Sequence, residues 1–368
     1  MASKIKSIFS KIEDPRRVLS NDYDLNSILV SSLISIICGA NTWNEIEEYC
    51  IEKEEWLNTF LSFDKGIPSH DTYNRVISRI NPAKLEECFR EWVVSFVENK
   101  KIKGVINLDG KTIRGAKTHG KKSPIHMVSA WSCESNIVLG QLRVNEKSNE
   151  ITAIPKLLEI LDIEDCIITI DAMGCQIEIA ESIIGKKGDY VLAVKGNQST
   201  LLEEIEDEFR FSKEIQFSET TDFDHGRIEI RKCSVINKFE HVSSQHKWKG
   251  LKSIVKIESS REFKNSDKKT ESHTRYYISS SLENADFFQQ TIRSHWSIEN
   301  KLHWSLDVAF NEDASRKRTD NSTQNFSLMN KIALNILKND TSSKIGIKSK
   351  RLKAGWSNSY LESLIGIS

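Results

Sequence analysis

The chain has no excess charge of either sign: 52 Lys and Arg balance 52 Asp and Glu over 368 residues. A protein coated in basic residues for nucleic acid is thereby excluded, although a local basic surface in a neutral protein still binds phosphate. Its seven cysteines include no CxxC pair. That argues against a Cys-rich zinc site and against a disulfide framework, and a reducing cytoplasm is expected. Long apolar runs are also missing. The opening MASKIKSIFSKIEDPRR is basic but lacks the apolar region of a signal peptide. The most apolar window, LNSILVSSLISIICGA, is too short and too Ser-rich for a membrane span, so it reads as a buried helix and no membrane partner is expected. No internal repeat or low-complexity tract interrupts the chain. What remains is the composition of an ordinary soluble protein, long enough for more than one core.

Residues 1–100 read as an all-helical N-terminal domain. Leu25, Ile28, Leu29, Leu33 and Ile36 recur at helical spacing, and a second helix is expected to start near Asn41 or Thr42. Turn chemistry at Gly66, Ile67, Pro68 and Ser69 precedes a helix with Tyr73, Val76, Ile77 and Ile80 on one face. Arg75 and Arg79 point elsewhere, as in a DNA-recognition helix or in an ordinary amphipathic one. From residue 101 to 340 the pattern is α/β. GVINLD, IHMVSAWSC and NIVLGQLRV are strands, the last two joined by a hairpin turn at residues 134–136. EITAIPKLLEIL, CIITIDA, CQIEIAESIIGKK and DYVLAVKG then alternate helix, strand, helix, strand. The right-handed crossover rule lets the fourth strand lie parallel beside the first. Residues 200–283 alternate like antiparallel strands and are expected to be a β-rich insertion. Residues 341–368 form a basic C-terminal tail with Lys344, Lys348, Lys350, Arg351 and Lys353.

Three carboxylates stand out. Asp109 and Asp171 each end a β-branched strand, and Glu299 lies inside a segment of helical periodicity. Parallel pairing of the two strands would bring Asp109 and Asp171 to neighbouring strand ends. An Asp there is commonly a turn former, and a buried one needs a partner, either a metal or a basic side chain. Oxygen ligands suit hard Mg²⁺, and two such ions clamp the attacking and leaving oxygens of a phosphodiester displacement. Lys111, Arg114 and Lys117 follow Asp109 in a stretch without an acidic residue from Lys111 to Lys122, which suits a phosphate backbone. Lys195, Asn197 and Gln198 follow the fifth strand and fit a supporting or DNA-contact role. Arg227 and Arg231 share a strand face and would track a DNA backbone or stay solvated. His295, Glu299 and His303 fall at four-residue spacing on one helical face. They lack the HExxH arrangement of a zinc site, so the two histidines are expected to contact phosphate or hold the Glu. Asp307, Glu312 and Asp313 are expected to support rather than ligate.

The segments LDGKTIRGA, ITIDAMGCQIEIA, DYVLAVKGNQ, DHGRIEIR, SHWSIENKLHWSLDVAFNED and NSTQNFSLMNKIALNILK resemble insertion-sequence transposases of the H-repeat-associated type, within the DDE class. The resemblance runs to about residue 340. It implies a ribonuclease-H-like catalytic core with a β-strand insertion before the last carboxylate. It also implies Asp109, Asp171 and Glu299 as catalytic residues holding two Mg²⁺ or Mn²⁺ ions. The expected substrate is double-stranded DNA, at the element's terminal inverted repeats and at the target, and the expected assembly is a homodimer or higher oligomer on DNA. The wider superfamily often places Tyr and Arg before the catalytic Glu and Lys after it; here His295, Trp296, His303 and Trp304 dominate that stretch. The rival readings are a non-catalytic DNA-binding relative and a metal nuclease without strand transfer.

Overall fold

The computed structural model describes residues 7, 9–16, 22–96, 101–116, 124–144, 149–224, 227–263 and 270–366. The helical region opens with α1 (Leu25–Ile37), capped by Asp24, whose carboxylate accepts from the Ser27 amide. Its four buried serines do not disturb the core. Ser31, Ser32 and Ser35 hydrogen-bond carbonyls of the preceding turn. α2 (Trp43–Glu52) starts with a capping box between Thr42 and Glu45. α3 (Glu54–Leu57), α4 (His70–Arg79) and α5 (Pro82–Phe96) follow.

A single nine-stranded sheet then forms in the order β3-β2-β1-β4-β5-β9-β8-β7-β6. β1 (Gly104–Ile113), β2 (Ile125–Ser132) and β3 (Ile137–Arg143) are an antiparallel meander, turning at Asn136 with φ 52°. α6 (Glu150–Ile160) crosses to β4 (Cys166–Ile170), which lies parallel to β1; α7 (Ile177–Gly185) crosses to the parallel β5 (Asp189–Val194). α8 (Ser199–Phe211) leads to β6 (Gln216–Asp224), β7 (Arg227–Ile236), β8 (Ser253–Phe263) and β9 (Glu271–Ser279). β9 pairs antiparallel with β5, so the four late strands extend the core sheet.

The chain returns through α9 (Ala285–Ser297), a π-helical turn over Ile298–His303 and α10 (Trp304–Phe310). α11 (Ser322–Asn339) is almost wholly buried between the helical region and β3. Its Asn335 plugs the β3 edge, donating to Val138 O and accepting from the Val138 amide. α12 (Ile347–Trp356) and α13 (Asn358–Ile365) close the chain. One contiguous hydrophobic core joins α1, α2, α4 and α5 to the sheet and to α11–α13.

Three expectations need correction. β1 does not end at Asp109. It continues to Ile113 against β2, and only its pairing with β4 stops at Leu108. The segment from His295 to His303 is not a plain α-helix, because the π-helical turn breaks its four-residue spacing. The basic C-terminus is not a tail but two helices packed on the rest of the fold. Lys350 and Arg351 are buried and bonded to main-chain carbonyls.

Candidate active site

The parallel register pairs Asn107 with Thr169 and Leu108 with Ile170, so Asp109 and Asp171 follow side by side where the two strands separate. Asp171 Oδ1 accepts from the amides of Met173 and Gly174 at 3.0 and 3.4 Å, which fixes its carboxylate at the head of a short turn. Asn197 and Gln198 brace that turn by donating to Ala172 O and Cys175 O at 2.8 and 2.9 Å. Their amide donors are thus engaged in supporting the Asp171 turn. Glu299 enters from the π-helical turn. Asp109, Asp171, Glu299, Lys195 and His295 line one pocket of about 210 Å³.

The electrostatics are those of crowded carboxylates. Burial pushes the Asp109 carboxyl up to about 7, and nearby Glu150, Asp171 and Glu299 add to this against the Gly110 amide. Asp171 is also raised, by burial and then by Glu150, against the two amides it accepts from and Lys195. Sequence reasoning missed Glu150. It accepts from His126 Nε2 at 2.6 Å while Thr112 Oγ1 meets His126 Nδ1 at 2.8 Å. This pair packs over Gly110, where an added Cβ would lie 2.1 Å from Glu150 Oε1. A side chain at this position would displace the Glu150 and His126 side-chain ends. Among the described residues, no three His, Cys, Asp or Glu side chains stand close enough to share one ion. The donor chemistry nonetheless fits a hard divalent cation. The three carboxylates offer only oxygen, no thiol lines the pocket, and the cations that line it with them are Lys195 and Arg275.

Two residues of β1 grip the Glu299 segment on either side of Asp109. Side chains alternate along a strand, so Asn107, Asp109 and Lys111 share a face. Asn107 Nδ2 lies 2.7 Å from Ser294 O, 3.4 Å from His295 O and 3.2 Å from Ser297 Oγ. In a regular helix the Ile298 amide would take Ser294 O. Here it turns to His295 O, and Asn107 satisfies the carbonyl so freed. Lys111 holds the segment beyond the π-helical turn, with Asp307 and Asp313 at 2.7 Å and Glu312 at 3.8 Å. Asn107 and Thr169 left a signal in the sequence: each is a polar residue two positions before an Asp within an apolar run.

The remaining candidates divide. Lys111 is buried among three carboxylates, which corrects its expected role as a phosphate contact. Arg114 is exposed beside Asp313, and Lys117 lies outside the described residues. His303 is mostly buried, with Nδ1 3.5 Å from Asp109 Oδ2. Burial, helped by the Lys331 and Lys111 cations, pushes its imidazole down to about 3. Arg227 and Arg231 line a second groove of about 480 Å³ with Arg261, Arg275 and Arg293. It meets the carboxylate pocket at Arg275, Tyr277, Ile292 and Trp296. Arg231 is already paired with Asp222 and Glu229. Arg75 and Arg79 are exposed on α4, well apart in sequence from the carboxylates.

A fold that sets three carboxylates in one pocket is matched by the sequence comparisons. Residues 100–336 match the transposase DDE domain, and residues 6–93 match the region associated with it. The chain belongs to the DDE transposase family. It is 44% identical over 364 residues to a putative transposase, YncI, of Escherichia coli O157:H7, covering 97% of this chain and 93% of that protein. The H repeat-associated putative transposase YhhI of Escherichia coli K12 is 41% identical over 372 residues, covering 98% of this chain and 97% of its own. A piggyBac transposase synaptic complex with hairpin DNA superposes at a TM-score of 0.44 and 11% identity, covering 99% of this chain and 78% of that one. Among the described residues no helix is long and apolar enough to cross a membrane.

Proposed function

We propose that this chain is an active DNA transposase with a ribonuclease-H-like core, cleaving the ends of an insertion sequence and joining them to target DNA. The observation that carries the reading is the meeting of Asp109, Asp171 and Glu299 in one pocket with Lys195. These three carboxylates would hold Mg²⁺ or Mn²⁺. Bound there, the ions supply the charge that activates a water or a DNA 3′-hydroxyl and steadies the leaving oxygen. The protein's own share is placement. The Met173 and Gly174 amides aim Asp171, the β1 grip sets Glu299, and the arginines of the adjoining groove hold the phosphate backbone. Exposed Arg75 and Arg79 on α4 are the proposed contacts to the element's terminal repeats, and the working assembly is a homodimer or larger on double-stranded DNA.

The test is cleavage of DNA carrying the element ends. Wild type should cut and join only with Mg²⁺ or Mn²⁺. Asp171→Asn should lose the cut by at least about 100-fold while keeping its fold and its DNA affinity. Full activity in excess chelator, or in that variant, overturns the assignment. Cut ends that are never joined would reduce the protein to a nuclease.

A further inference from the structure

A chain of hydrogen bonds behind the carboxylates dictates where the protons lie. Ser294 O and His295 O can only accept, so the Asn107 atom facing them is Nδ2 and the atom facing β4 is Oδ1. Oδ1 can also only accept, and Thr169 Oγ1 lies 2.7 Å from it, so the single hydroxyl proton of Thr169 goes to Asn107. Thr169 Oγ1 then has only lone pairs for its other neighbour, His295 Nδ1, at 2.8 Å. His295 must donate through Nδ1–H. In the neutral ring the other nitrogen, Nε2, is then left with a lone pair, and the ring lines the pocket of Asp109, Asp171 and Glu299.

We infer that His295 is held as the neutral Nδ1–H tautomer and that its Nε2 accepts the hydrogen bond of the attacking hydroxyl, a water or a DNA 3′-hydroxyl, in the carboxylate pocket. Asn107 and Thr169 are the positioning residues. The inference rests on the transposase reading for its substrate, but the tautomer stands independently of it. It replaces the expectation that His295 contacts phosphate. A phosphate oxygen needs a donor, and this network leaves an acceptor. Burial of the ring pushes its imidazole down to about 4, in keeping with a neutral side chain. A lone pair aimed at the attacking O–H fixes which oxygen lone pair is free to approach phosphorus, an orienting effect of the kind that misplacement erases.

The experiment uses the full chain labelled with ¹⁵N-histidine, and His295→Phe assigns the signal. Wild type should show a protonated Nδ1 and an unprotonated Nε2 at neutral pH without DNA. Thr169→Ser should keep that pattern, and Thr169→Val should lose it. In the cleavage assay His295→Phe and Thr169→Val should each slow the cut from bound DNA by about 100-fold and about 10-fold, with DNA affinity within about twofold of wild type and Thr169→Ser rescued. A protonated Nε2 in wild type overturns the proposal. So does a variant that binds DNA more weakly but cuts bound DNA at the wild-type rate, which is the mark of a phosphate contact. If wild type fails to cleave at all, the transposase reading falls while the tautomer measurement still decides the network.

Discussion

Lys111 illustrates how much one side chain decides. It is two residues from Asp109, and its ammonium is buried against Asp307, Asp313 and Glu312. Removing a partner from such a cluster leaves uncompensated charge, which costs more than the intact cluster contributes. Lys111→Met should destabilise the protein by about 2–4 kcal/mol, toward the lower end because Asp307 and Asp313 still touch water. Urea unfolding of the variant measures this. A change below about 0.5 kcal/mol would mean that the cation is solvated after all. The same substitution should leave the salt dependence of DNA binding untouched, because a lysine engaged in this way releases no counterion from DNA.

Asp340 joins the end of α11 to α12 and α13. It accepts from the Ser342 amide and hydroxyl, the Tyr360 hydroxyl at 2.7 Å and Lys350 Nζ at 3.2 Å. Burial works to raise its carboxyl, but these donors outweigh it and hold the group down to about 2, from an ordinary 3.8. A carboxyl lowered on folding gives stability that is full above the ordinary value and is lost as pH falls through the lowered one. Asp340→Asn should therefore cost on the order of 2 kcal/mol at pH 7, and the gap from wild type should close between about pH 4 and pH 2. Denaturant midpoints across that range check it, and a gap constant with pH would sink it. The elements themselves were unevenly legible. The β1–β5 order and the parallel neighbours carrying Asp109 and Asp171 followed from apolar runs and the crossover rule. β6 did not, because QFSETTDFD at a sheet edge carries almost no apolar pattern. The π-helical turn also escaped, since Asn107, which binds the carbonyls just before it, lies far away in sequence. Lys350 and Arg351 read as part of a basic tail because composition does not register which carbonyls a fold leaves open for them. Of the candidate site, the three carboxylates were readable, while Glu150, His126 and the Asn107–Thr169–His295 chain depend on packing.

On the scale of the whole molecule, the C-terminus fastens the helical region to the rest. Arg351 donates to Ile36 O, Ala40 O, Asn41 Oδ1 and Ala309 O, and its guanidinium lies 4.2 Å from the Phe310 ring centroid. With one core shared by both regions, heat should unfold them in a single transition, seen alike by aromatic circular dichroism and by hydrogen exchange in α1 and in β1. Arg351→Met should lower that transition by about 2–4 kcal/mol without splitting it. Separate melting of the helical region would show that it stands alone. The double grip of β1 on the Glu299 segment has a consequence for tolerance to change. The spacing of the third carboxylate from the first is gauged across a few ångströms of hydrogen bonds, and not along the chain that runs from β4 through β9. Dimensional error accumulated in that long detour is reset at Asn107 and Lys111. The connections between β6 and β9 are thus free to lengthen, shorten or carry a grafted domain, while the reacting geometry keeps its calibration.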